Sequence, residues 1–425
     1  MTNSLKKQAR HARSRFFCVC GVILLAASLP HFAYADEDGQ ERLAVRERLH
    51  PETEPQGIIY GPLSFYPSLG VGAEYDSNVF ASSGDAEDDR AAILAPHLIL
   101  RFDGSTVKHR FDLGARHLEY DRFDSESRTE ARAALRSNRK IANRIELNSY
   151  FEAARKFEER GDSLTLTESV KPIGFADLRA DTEIIKNFNR FGLGIGGRAR
   201  HIAYENGRDS FGAELDQSYR DGIIVAASLR PFYDFSPGYR AYARLEVNQR
   251  DYEGTDDLDR DSEGFDARGG LEFLLSPILS GAIEIGYLEQ FYANPLIPDL
   301  DGLSTLSRLR WLATPLMTIS LFAARSIAET AAQNAEARID FSAGVTLDYE
   351  LRRNVIATVE AIYVNEDFQG TTRSDDVWKI KAKLDYSMNE YIYFNFYYIY
   401  MDRQSDIVDF SFDQHRFMVN VTAQY

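Results

Sequence analysis

Four features of this 425-residue chain have the residue types that chemistry needs. Gly161-Asp162-Ser163-Leu164 spells the nucleophile block of one esterase class. A serine nucleophile needs a strand-to-helix turn and a histidine and aspartate partner. The block falls instead between two alternating segments, and no Asp-x-x-His follows near the carboxy terminus, so it reads as a loop turn. Gly192-x-Gly194-x-x-Gly197 matches the dinucleotide-binding spelling, but a phosphate cradle needs a helix after it and Ala199 to Tyr204 continues a strand. Gly192, Gly194 and Gly196 then share one face, with room for a bulky neighbour or an inner loop. Asp257, Asp259, Asp261 and Glu263 stand at alternate positions and could gather calcium, yet Gly264 comes too late for an EF-hand, which leaves a solvated acidic loop. The eight histidines lack metal-ligand spacing, and His109, His117 and His201 read as strand residues near an interface. No catalytic residue, metal site or cofactor is assigned, and the chain is not read as an enzyme.

The elements that would position any such groups are strands. The final stretch, Ser411 to Tyr425, sets the pattern: Phe417, Val419, Val421, Ala423 and Tyr425 are apolar, and Arg416, Asn420, Thr422 and Gln424 between them are polar. A period of two gives a strand one oily and one wet face. Bacterial outer-membrane barrels end in this way, with the last strand pairing the first, so Phe417, Val419, Val421 and Tyr425 are read as an assembly signal.

Residues 1–35 read as a secretory signal peptide: a basic head (Lys6, Lys7, Arg10, Arg13, Arg15), an apolar run from Phe16 to Leu29 and the small-x-small ending Ala33-Tyr34-Ala35. Both cysteines, Cys18 and Cys20, lie inside it, so no disulfide is expected in the mature chain. Losing those five bases takes the formal net charge from −16 to −21, which argues against nucleic acid as a partner. Residues 36–62 are charged and broken by Pro51, Pro55 and Pro62, with a short helix expected around Arg42 to Leu49. They read as a periplasmic tail or a small plug.

From 63 to 425 the pattern predicts a single all-β domain, a transmembrane antiparallel barrel with both termini periplasmic. Eighteen strands are expected, at 65–75, 91–102, 108–121, 129–139, 143–157, 175–187, 191–204, 222–234, 239–252, 264–276, 280–292, 303–314, 316–327, 337–350, 354–366, 375–387, 391–402 and 411–425. Sixteen is the count if 129–139 and 316–327 fall away. Connections alternate between short and long, as barrel turns and outer loops do. Phe191, Tyr239, Phe265, Tyr391, Tyr393 and Tyr400 fit interfacial girdles. The wet faces hold more bases than acids, and Arg144, Arg198, Arg200, Arg240, Arg244, Arg250, Arg308, Arg310, Arg338, Lys379, Lys381 and Lys383 are the expected pore lining. Much of this would be ion pairs bracing the wall, with a remaining basic surplus that favours anions.

Pro67-Ser68-Leu69 and Tyr75-Asp76-Ser77-Asn78-Val79-Phe80 resemble the opening of a family of bacterial outer-membrane β-barrel porins. Ser236-Pro237-Gly238-Tyr239, Arg250-Asp251-Tyr252 and Gly286-Tyr287-Leu288 are similar to later stretches of that family. The resemblance marks Pro67, Tyr75, Asp76, Ser77, Asn78 and Phe80 as family-motif residues; Asp76, Ser77 and Asn78 read as a polar strand exit, not a binding site. It implies a cell outer-membrane pore taking part in export of acidic exopolysaccharide or capsule. The partners it implies are outer-membrane lipid and lipopolysaccharide, the barrel assembly machinery and polysaccharide export proteins. A general nutrient porin and a non-conducting adhesin or assembly scaffold remain as alternatives, and the sequence does not reveal an oligomeric state.

Overall fold

The computed structural model describes residues 43–48, 50–162, 169–254, 259–328 and 337–425. Eighteen strands make the ring: β1 (Leu63–Asp76), β2 (Asp89–Asp103), β3 (Val107–Tyr120), β4 (Arg128–Ala142), β5 (Ile145–Phe157), β6 (Gly174–Phe188), β7 (Phe191–Tyr204), β8 (Gly222–Ser236), β9 (Tyr239–Tyr252), β10 (Ser262–Ser276), β11 (Leu279–Tyr292), β12 (Leu300–Thr314), β13 (Met317–Ala328), β14 (Ala337–Arg352), β15 (Val355–Gln369), β16 (Ser374–Ser387), β17 (Ile392–Ser405) and β18 (Phe412–Gln424). Each pairs antiparallel with its chain neighbour, and β1 pairs with β18 from Ser68 opposite Gln424 to Asp76 opposite Arg416. The ring is closed, so the backbone groups of its walls are satisfied without water. A three-residue strand, Ile58–Tyr60, continues the seam along Leu63 to Phe65 where β18 has ended.

The alternation in the sequence becomes the two sides of the wall. Leu245, Val247, Phe417, Val419, Val421 and Tyr425 are exposed on the outside, while Glu74, Asp112, Glu272, Glu284 and Arg416 are buried on the inside. The two weakest-patterned segments are both full strands, β4 and β13, and the count of eighteen stands. Short connections such as 189–190 and 353–354 alternate with long ones such as 77–88, 158–173 and 205–221. The chain enters β1 and leaves β18 at the short-turn end. Among the described residues no helix is long and apolar enough to cross a membrane.

Two expectations change. Arg144 is not on a strand: it occupies the two-residue turn before β5 with φ of +64°, because so tight a hairpin needs a left-handed residue. Tyr393 is not in the outer girdle either. It points inward and donates to Asp385 Oδ1 at 2.6 Å, while Tyr391, outside the strand, stays on the outer surface 6.1 Å from the Tyr425 ring. Tyr393 and Asn395 share the inner face with Asp385 across the β16–β17 pair, and that parity decides it.

The inner side is not uniformly wet. Ile362, Val364, Val377, Met401 and Phe412 form an apolar cluster on β15 to β18, and Ile93, Ala95, Ile399 and Met418 form a second across the seam. Residues 158–162 pack against the first of them.

Candidate functional site

Two segments of the chain turn into the barrel, one from each end. The loop after β5 leaves the wall at Glu158, which is ion-paired with buried Arg220. Glu159 reaches the seam strand β18 and meets Arg416 at 3.3 Å. Arg160 is held by Glu126 at 2.6 Å and by the Ser169 and Val170 carbonyls at 2.6 and 2.8 Å, with its guanidinium 5.8 Å from the Phe80 ring centre. A Cβ on Gly161 would lie 2.6 Å from the Phe412 ring, so glycine is what lets the loop come this close. Burial raises the Glu159 carboxyl, but Arg416 and Lys379 outweigh it and hold the group below the usual carboxylate range.

At the short-turn end the amino-terminal segment runs inside the mouth. Its single helical turn, Val45–Glu47, lies against β12 to β16. Val45 is 0% exposed and donates its N–H to Thr318 Oγ1 at 3.0 Å. Arg46 bonds Asp348 at 2.6 Å, Asp385 at 3.0 Å and the Thr358 hydroxyl; Glu47 meets Arg310 at 2.9 Å, and Arg48 meets Glu350 at 3.0 Å. Burial works against the Arg46 charge, yet the two carboxylates overcome it and raise its pKa. Farther along, Gln56 bonds Glu390, and a Cβ on Gly57 would strike the Tyr66 ring at 2.5 Å. The described contacts of this segment therefore follow one arc of the mouth, from β12 round to β1.

A closed barrel of eighteen strands with charged side chains inside is the geometry of an outer-membrane channel. A family model described as "Putative beta-barrel porin 2" matches residues 50–425. The chain belongs to that porin family. The porin is an outer-membrane protein and a channel, not an enzyme. No curated protein sequence matches it. Among solved structures, Pseudomonas aeruginosa OpdK with vanillate is 12% identical with a TM-score of 0.45, covering 85% of this chain and 99% of its own. Pseudomonas aeruginosa OccK2 (OpdF) with glucuronate is 10% identical with a TM-score of 0.46, over 87% and 100%. The copper transporter OprC is 9% identical with a TM-score of 0.47, over 87% and 81%. At these scores the likenesses carry no argument about what passes through this porin. The family description makes no mention of exopolysaccharide.

Most of the bases expected to line the porin's interior are matched to acids on the same strand, on a strand one or two places away, or on the amino-terminal segment. Arg198 meets Glu246 at 2.6 Å and Arg200 meets Asp177 at 2.9 Å. Arg240 is bonded to Asp234 at 2.7 Å and lies over the Phe232 ring at 4.1 Å. Arg244 and Arg268 share Glu284 at 3.8 and 3.0 Å, with Arg308 in the same neighbourhood. Arg338 is fixed between Asp340 at 2.6 Å and Glu366 at 3.3 Å, and Arg310 is engaged by Glu47. Lys381 meets Glu360 at 3.1 Å and Lys383 meets Asp385 at 2.8 Å, while Lys379 lies near enough to Glu159 to stabilise its charge. Arg250 follows Arg244 up β9, opposite Ser262, and Arg144 is away in its turn. The expected basic lining is thus largely part of a bracing network of ion pairs.

Other motifs find structural roles. Gly192, Gly194 and Gly196 make room on β7 for Phe232, Glu183 and Ser228, since a Cβ there would lie 2.0, 2.5 and 2.5 Å from those side chains. Gly161 and Asp162 belong to a turn closed by Asp162 N–H on the Glu159 carbonyl at 2.9 Å; Ser163 and Leu164 lie outside the described residues. Asp261 N–H bonds Asp259, and Asp261 in turn accepts the Tyr252 N–H, so both serve the loop itself; Asp257 lies outside the described residues. Among the described residues no cluster of histidine and acid side chains is placed to hold a metal.

The polar strand exit does more than turn the chain. Asp76 accepts both Asn78 N–H at 2.9 Å and the Gln414 amide at 2.9 and 3.0 Å. Asn78 donates to the Asp413 carbonyl at 3.0 Å, and Ser77 Oγ accepts the His415 N–H at 2.9 Å. Tyr75 lies 6.4 Å from the Phe417 ring and Phe80 packs edge-on against Phe123 at 4.8 Å. Pro67 opens the seam at the other end, its carbonyl taking the Tyr425 N–H at 3.1 Å. The family motif is the latch of the barrel seam, a role that no short-range spacing could reveal because its partners are about three hundred residues away.

Proposed function

We propose that this porin passes small polar solutes by diffusion and is not a duct for polysaccharide chains. The observation that carries the reading is that two of the chain's own segments enter the lumen and are fixed to its wall. Arg46, Glu47 and Arg48 are tied by ion pairs to β12, β14 and β16, and the 158–162 stretch, which leaves β5, reaches across β1 to β4 to Arg416 on β18. A polymer needs one continuous wide bore, whereas small solutes need only the gaps between such segments and the wall. In this reading the short-turn mouth faces the periplasm and residues 36–62 act as a partial plug.

Proteoliposome swelling with sugars of increasing size tests this, together with conductance in planar bilayers. Monosaccharides should enter quickly and long oligosaccharides should not. A deletion strain that loses surface polysaccharide would restore the export reading. A barrel that assembles but conducts under no condition would favour the scaffold.

A further inference from the structure

The outward face of β3 to β8 carries a groove. Ala133 of β4 stands directly opposite Ala153 of β5, and Ala180 of β6 directly opposite Ala199 of β7. Larger side chains border these pairs: Leu113 is opposite Ala133, Leu178 is opposite Ala153 and Phe151 is opposite Ala180. All three of the larger residues are exposed. The hollow between them measures about 440 Å³. Its lower end lies at Phe111, part-way down β3, and its upper end at Ile223, the second residue of β8, so the groove climbs towards the long-loop end.

This face meets the hydrocarbon of the outer membrane, as the outward apolar band of a closed barrel does. A hollow there must be filled, since atoms that line a void lose their dispersion contacts. The wall of a second barrel is convex, whereas a groove floored by four alanines and edged by leucine and phenylalanine admits a thread. A single alkyl chain lying in it touches side chains on three sides. The upper end supplies polar groups. Arg155 follows Ala153 by two on β5, so it stands on the same face, one position nearer the long loops. It is half exposed, stacked on Phe157 at 5.0 Å and paired with the equally exposed Glu205 at 2.8 Å. Glu205 engages Nε and one Nη, and a guanidinium has five N–H donors. An exposed pair of that kind is weak, so an anion can share the arginine. His201, opposite both Leu178 and Ile223, adds an imidazole at the upper lip.

We infer that this groove is a fixed site for one acyl chain of an outer-leaflet lipopolysaccharide, with a headgroup phosphate at Arg155. With the short turns towards the periplasm, the upper end of the groove lies in the outer leaflet, where lipopolysaccharide is the phosphate-bearing lipid. The leaflet rests on that orientation and not on what the porin passes. Arginine suits the headgroup because its planar fork can give a phosphate two parallel N–H bonds.

Native mass spectrometry of the full detergent-solubilised porin tests the site, with lipopolysaccharide lacking its O-chain, the dephosphorylated form of that lipid, or phosphatidylethanolamine added. One lipopolysaccharide per barrel should stay bound at detergent concentrations that strip phosphatidylethanolamine. Ala153→Leu together with Ala180→Leu fills the groove from outside and should weaken retention by about tenfold. Ala243→Leu, on the same outward face of β9 as Leu245, should leave it unchanged. Arg155→Gln should weaken binding of the phosphorylated lipid alone. Heat-shifted gel mobility checks that each variant is folded. If the leucine pair does not fold, Arg155→Gln and the three lipids on the unaltered protein decide the matter. Equal retention of lipopolysaccharide and phosphatidylethanolamine, or unchanged retention in the folded leucine pair, would overturn the site. Disulfide linking of two barrels through Ala153→Cys in the native membrane would give the groove to a second copy and overturn it as well. Protease access to the long loops in intact cells checks the orientation, and loops on the periplasmic side would overturn the leaflet. Conductance does not enter these measurements, so the diffusion reading stands or falls separately.

Discussion

Asp76 and Asn78 act on the seam between the first and last strands, so their substitution is a question of closure, not of solute. Removing the Asp76 carboxylate leaves the buried Gln414 amide without that acceptor, a loss of about 1–3 kcal/mol. Asp76→Ala should therefore lower the temperature at which the barrel unfolds on a gel, and Ser77→Ala, which loses a single bond to His415, should lower it less. Equal midpoints for both variants and the unaltered chain would remove the latch. Arg144 presents the opposite case. Its left-handed φ costs a side chain about 1–2 kcal/mol that glycine does not incur. Arg144→Gly should raise the same midpoint slightly and leave conductance unchanged, whereas a change in conductance would place Arg144 in the pore after all.

At the scale of the element, the inward loop is held by Glu159, and the sign of its pH dependence follows from its partners. Burial alone would raise the carboxyl, but Arg416 and Lys379 depress it. A carboxyl depressed in the folded loop adds stability that is fully present above its ordinary value, about 4.3, and is lost as pH falls through the depressed one. Acidification below the ordinary carboxylate range should release the loop, seen as faster protease cleavage near residues 158–173 and a step in conductance. Glu159→Gln should abolish the step and leave the loop loose at neutral pH. A step that persists in Glu159→Gln would assign it to another acid.

For the whole molecule, the amino-terminal segment matters because its contacts run along one arc of the mouth, from β12 round to β1. Deleting residues 43–56 should raise single-channel conductance, and Arg46→Ala should move it in the same direction by cutting the ties to Asp348 and Asp385. High salt should narrow the difference between the deletion and the full chain, since it screens those pairs. No change on deletion would mean that the solute path does not pass this segment.

The period of two, read alone, determined where the strands lie, their number and which face of each meets lipid, because side-chain parity along a strand is a local property and an oily outer face leaves a direct trace. Phe417, Val419, Val421 and Tyr425 are on the outside for that reason. Parity also placed Arg198, Arg240 and Lys381 on the inner face, but it could not say that Glu246, Asp234 and Glu360 would neutralise them. Partners one or two strands away are set by register, and register depends on every turn between. Arg144 shows the limit locally, where one residue of hairpin geometry moved it off the strand. Ring closure and the segments that enter the barrel decided the rest: they brought Asp76 to Gln414, Glu159 to Arg416 and Arg46 to Asp385 across hundreds of residues. These contacts leave no periodicity in the chain, because each joins segments whose only relation is position around the barrel.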